Sequence, residues 1–136
     1  MSELIHYKQK PVVWGVIYWT PRILSILFLC FLAMFSLDVF EEGRSAGQIA
    51  LGLLMHNIPV FILLAVLIIA WKREIVGAVA FALGGFLYIG LIARNAIIGQ
   101  FEWYMLVWSL QIAGPAFFIA YLFWLNWRQR KNINAK

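Results

Sequence analysis

Charge is what this sequence has least of. Its 136 residues hold six acids and eleven bases, 12% charged in all, about half the roughly 25% of an ordinary soluble domain. So few cannot cover the surface of a water-soluble fold this small. Cysteine is almost missing, and Cys30 alone excludes a disulfide framework. There is no Walker loop, no H-E-x-x-H, no C-x-x-C and no G-x-S-x-G. His6 and His56 are the only histidines, too few and too far apart for a bis-histidine haem within one subunit. No cofactor and no catalytic residue is therefore expected, and a membrane enzyme ranks last among the readings. Low-complexity tracts and internal repeats are also missing.

What is present is apolar. Hydrophobic residues make up 64% of the chain, which excludes disorder and leaves an integral membrane protein. Residues 23–37, 45–71, 75–93 and 103–127 carry no Lys, Arg, Asp or Glu. A helix needs about 20 apolar residues to cross about 30 Å of hydrocarbon. The last three runs meet that directly. The expected architecture is an all-α bundle in one transmembrane domain, with helices at about 21–40, 46–71, 75–95 and 103–127.

The start of the first helix has two readings. Thr20-Pro21 resembles an N-cap followed by Pro at the first helical position. Residues 12–19 would then be a separate aromatic segment in the interface, and Arg22 would snorkel to the head groups. The rival is one long tilted helix from Val12, with Pro21 and Arg22 interior to it. The second helix opens on Ser45-Ala46-Gly47-Gln48, which fits a capping box. Ser25 and Ser36 share a face of the first helix, with Arg22 within about 40° of it, and that face is expected to point inward.

Four helices put both termini on one side. With that side cytoplasmic, nine bases lie inside: Lys8, Lys10, Arg22, Lys72, Arg73, Arg128, Arg130, Lys131 and Lys136. Only Arg44 and Arg94 lie outside. This is a strong positive-inside bias for a plasma-membrane protein with both termini in. Arg22, Lys72, Arg73, Arg128 and Arg130 are expected to meet anionic lipids at the inner face. The bases are split among three segments without a recognition motif, so nucleic acid is not an expected partner.

Small residues crowd the third helix. Gly77, Ala80 and Gly84 read as packing positions that let neighbouring backbones approach. They equally suit a subunit interface.

Few polar groups enter the membrane. At 1.5 Å per residue, Asp38 stands about 25 Å above Pro21, His56 about 22 Å above Trp71, Arg94 about 28 Å above Ile75 and Gln111 about 20 Å above Trp124. Asp38, His56, Asn57, Arg94 and Gln111 therefore form a candidate outer-leaflet site, above an inner half that reads as apolar. Pro59 and Pro115 are expected to kink their helices, freeing the carbonyls of Met55 and Gln111 beside it. The bland alternatives are interfacial solvation for Arg94 and Glu102, a packing role for His56, and interhelical hydrogen bonds for Asn57 and Gln111. The site would suit small-solute or ion transport or sensing through a homo-oligomer. An accessory or scaffold subunit of a larger membrane complex is the other reading.

Four segments carry a resemblance: Pro21-Arg22-Ile23-Leu24, Leu37-Asp38-Val39-Phe40, Met55-His56-Asn57-Ile58-Pro59, and Ala70-Trp71-Lys72 through Glu74 and Gly77. Over about residues 20–127 the chain resembles a family of small prokaryotic membrane proteins known as a domain of unknown function. The resemblance implies four membrane helices and transfers no activity, cofactor or catalytic residue.

Overall fold

A computed structural model describes residues 2–40, 43–99 and 102–134, with side chains from 15 to 132. Helix α1 covers Ser2–Met34 and ends in a 3-10 turn, Phe35–Val39. Helix α2 covers Ala46–Ala70, α3 Glu74–Ile98 and α4 Trp103–Asn134. Four stretches are long and apolar enough to cross a membrane: Gly15–Val39, Ala46–Ala70, Glu74–Ile98 and Trp103–Asn132. The tight Trp71–Arg73 turn joins α2 to α3 and defines one end of the bundle, here the hairpin end. The α1–α2 and α3–α4 connections lie at the far end.

The chain does not break at Thr20-Pro21. Helix α1 runs straight through, so residues 12–19 belong to it and do not form a separate segment. Its 33 residues extend about 50 Å. Thr20 caps nothing; its Oγ1 donates back to Val16 O at 2.6 Å. A proline inside a helix leaves the carbonyl four residues earlier without its donor. For Pro21 that carbonyl is Ile17 O. Asn126 of α4 supplies the missing donor, its Nδ2 standing 2.8 Å from Ile17 O, and its side chain is buried. The helix survives its proline because another helix completes it.

The expected Ser45 capping box is formed. Gln48 N donates to Ser45 Oγ, and Ser45 N donates to Gln48 Oε1. Gly43 before it has φ 91°, a left-handed turn that glycine adopts without strain.

Packing is closest between α3 and α4, and two glycines allow it. A Cβ on Gly77 would stand 2.9 Å from the Ala70 methyl and 3.0 Å from the Phe123 ring. A Cβ on Gly85 would stand 2.9 Å from Phe117. Gly84 has open space at its Cβ position, so Gly77 and Gly85, and not Gly84, set the close approach. Lipid tails are as apolar as Leu, so packing of this kind, rather than a hydrophobic drive, holds membrane helices together. Phe81 stacks on Phe123 at 6.1 Å between ring centroids and meets Phe28 at 6.3 Å, tying α1, α3 and α4 into one core.

The usual distribution of polarity is inverted. Leu87, Phe86 and Leu110 are exposed, whereas Arg22, Ser25, Ser36, Glu74 and Asn126 are buried. A surface that faces hydrocarbon accounts for both facts.

Candidate functional site

The hairpin end holds a buried ion cluster. Arg22 is 0% exposed and Glu74 is 3% exposed. Arg22 Nη2 lies 3.4 Å from Glu74 Oε1 and donates to Trp71 O at 3.1 Å. Its Nη1 donates to Tyr18 O, one turn back. The guanidinium carbon sits 3.5 Å from the centroid of the Tyr18 ring, with Trp71 and Phe123 farther out. From α4, Arg130 Nη2 reaches the same Glu74 Oε1 at 3.2 Å. Two guanidinium groups therefore share one carboxylate oxygen.

Each partner has a local reason to be there. The last carbonyls of a helix lack intrahelical donors, and Arg22 serves Trp71 O at the end of α2. Glu74 opens α3, where the helix dipole favours a negative charge. The buried cation needs a counter-ion, and Glu74 supplies it. The cluster, with the Asn126–Ile17 bond, ties all four helices together at one end.

This corrects the placement of Arg22. It does not snorkel to lipid, because Glu74 is its counter-ion and Tyr18, Trp71 and Phe123 enclose it. The alternative expectation, that the Arg22–Ser25–Ser36 face turns inward, matches the burial of all three. The hairpin half of the bundle is accordingly not wholly apolar. Lys72, Arg73, Arg128 and Arg130 are exposed at this end, Arg128 lying over the Trp124 ring at 5.2 Å.

The far-end residues are arranged differently. Asp38, His56, Arg94 and Gln111 are exposed, and Asn57 is half-buried. His56 Nδ1 lies 3.3 Å from Gly52 O, and Asn57 Nδ2 donates to Leu53 O at 2.9 Å, both within α2. No hydrogen bond or ion pair joins any two of these five residues. Within a single chain they do not converge: His56 and Asn57 are neighbours on α2, while Asp38, Arg94 and Gln111 stand on three other elements. Among the described residues no three His, Cys, Asp or Glu side chains lie close enough to hold a metal ion.

Between α1 and α4 runs an open groove of about 350 Å³. Leu24, Leu27, Phe28 and Phe31 line one wall, and Gln111, Pro115, Phe118 and Ile119 the other. Gln111 is its one polar side chain and makes no hydrogen bond to any described residue.

Sequence reasoning missed the pairing of Arg22 with Glu74 and the role of Asn126. Only partial signals exist in the sequence. Glu74 is the one acid beside the α2–α3 turn, and Asn126 is a polar residue in an aromatic and apolar stretch of the last helix.

The four spans and the inverted polarity define a polytopic α-helical membrane protein. The chain belongs to the family described as Domain of unknown function (DUF7670), which it matches over residues 9–135. No curated protein and no solved structure matches it.

Proposed function

We propose that the chain is a membrane subunit that works by lateral assembly within the bilayer, rather than as a self-contained transporter or enzyme. One observation carries this reading. Gln111 stands within a membrane-spanning helix, exposed in an otherwise apolar groove and without a hydrogen-bond partner among the described residues. Lipid tails offer it none, and leaving an amide unpaired in hydrocarbon is costly. A polar group on a neighbouring helix removes that cost. Exposed Leu and Phe side chains do not distinguish lipid from protein neighbours, but an exposed amide does.

An accessory or scaffold role follows most directly. Transport or sensing of a small solute or ion is the second form of the reading, favoured by the placing of His56 and Gln111 well inside their spans. Polar groups on separate outward faces line a shared path only across a subunit boundary, so that activity would belong to the assembly. Native mass spectrometry after mild detergent extraction tests the proposal. An oligomer or a stable complex is expected. Single chains under every extraction condition, and in lipid nanodiscs, would overturn it.

The same reading places both termini in the cytoplasm, with the hairpin end inward at the plasma membrane. Support comes from the bases gathered there: Arg22, Lys72, Arg73, Arg128, Arg130 and Lys131. Lys72, Arg73 and Arg128 are free of the buried cluster and are suited to anionic head groups. A C-terminal reporter active only outside the cytoplasm would reverse the orientation.

A further inference from the structure

We propose that the lateral partner is a second copy of this chain, with its α2 seated in the α1–α4 groove and the amide of Gln111 donating to the partner subunit's His56. This rests on the assembly reading above and names its partner and contact.

Donor and acceptor match. A carbonyl oxygen only accepts, so the bond between His56 Nδ1 and Gly52 O puts the ring proton on Nδ1. In the neutral imidazole, Nε2 is then an acceptor. His56 is exposed, and Nε2 makes no hydrogen bond to any described residue. The Gln111 amide is a donor with no partner among the described residues.

The heights match as well. Gly77 approaches both Ala70 and Phe123, so Ala70 on α2 and Phe123 on α4 stand at one level. His56 is about 21 Å along α2 from Ala70, and Gln111 is about 18 Å along α4 from Phe123. Copies inserted with the same topology are related by rotation about the membrane normal, which leaves every height unchanged. Groups at one level in the monomer are therefore the ones that meet across such an interface.

The occupant has a free face. Only 11% of the most apolar stretch of α2 is buried in the bundle, against 33% for the first span and 28% for the last. It is the least covered helix, and the groove is walled by the two most covered ones. Pro115 adds a second acceptor at the contact, because it frees the carbonyl of Gln111 itself.

Disulfide trapping in membranes tests the contact. One tagged chain carries His56→Cys and a differently tagged chain carries Gln111→Cys, both with Cys30→Ser. On mild oxidation the two tags should appear in one band of twice the monomer mass. The control pairs Gln111→Cys with Ile97→Cys, on an exposed part of α3, and should give no such band. Helical content and membrane yield establish that each variant folds. An oligomer seen by native mass spectrometry without the 56–111 crosslink overturns this contact and leaves the assembly reading intact. A monomer overturns both. Crosslinking of Gln111→Cys to a different protein in place of the second copy overturns the choice of partner. In a second measurement, Gln111→Leu and His56→Leu should each weaken association roughly three- to twentyfold. Together they should cost little more than either alone; fully additive losses would overturn the pairing.

Discussion

The two ends of this bundle treat polar residues in opposite ways. At the hairpin end Arg22, Glu74 and Asn126 are buried and joined across helices. At the far end Asp38, His56, Arg94 and Gln111 are exposed and joined to no described residue across helices. Buried polar groups joined across helices belong to a region that one chain holds together, although Arg22 Nε and Gln129 Oε1 there have no hydrogen-bond partner among the described residues. Exposure without partners across helices, inside spans that face hydrocarbon, is what the proposed assembly would complete from outside. The contrast predicts that substitutions at the hairpin end act on folding and those at the far end act on assembly.

The sharpest test of the first half is Glu74→Gln. It leaves the Arg22 cation buried without its counter-ion. Breaking a buried pair from one side typically costs about 3–5 kcal/mol. Thermal unfolding in detergent should show a loss of that order, or the chain should fail to accumulate. Arg22→Met combined with Glu74→Leu removes both charges and should recover most of the loss. A Glu74→Gln variant as stable as the parent would mean that the cluster holds nothing together.

The close approach of helices comes next. Gly77→Leu drives a side chain into Ala70 and Phe123 and should cost about 1–3 kcal/mol. Gly84→Ala, on the same helix, meets open space and should be nearly neutral. Equal effects at the two positions would remove the assignment of Gly77 as the contact.

Asn126→Leu is expected to act through a different helix. It strands Ile17 O, whose own helical donor Pro21 has removed. The cost should be about 1–2 kcal/mol in the same unfolding measurement. In a Pro21→Ala background the backbone N–H returns, and Asn126→Leu should become markedly milder. Identical costs in both backgrounds would show that Asn126 is not serving that carbonyl.

These cases also mark what could be read from the chain. Spans, the Ser45–Gln48 cap and the tight approach at Gly77 were legible because each rests on local chemistry or on runs of one polarity. The course of α1 through Pro21 was not. A proline reads locally as a helix start, and only Asn126, 105 positions later, makes it an interior residue. Arg22 was ambiguous for the same reason. Its spacing to Ser25 and Ser36 pointed inward while its charge pointed to lipid, and the deciding partner, Glu74, lies on another helix. For the far-end residues the sequence offers a count of steps along each helix and no direction around it. Their failure to converge follows from rotation about each axis, which 1.5 Å steps along the axis do not specify.

The smallest effect on folding is expected where exposure is greatest. His56→Leu removes a hydrogen bond made within its own helix, at an exposed position. Unfolding of the isolated chain should change by less than about 0.5 kcal/mol, as for most exposed sites. The same substitution should lower the oligomeric fraction at fixed protein-to-lipid ratio, because it removes the acceptor offered to a neighbour. Arg94→Gln, on another helix and outside the proposed contact, should leave both quantities unchanged. A large folding loss at His56 with no change in assembly would place it with Arg22 and Glu74, and the distinction between the two ends would fail.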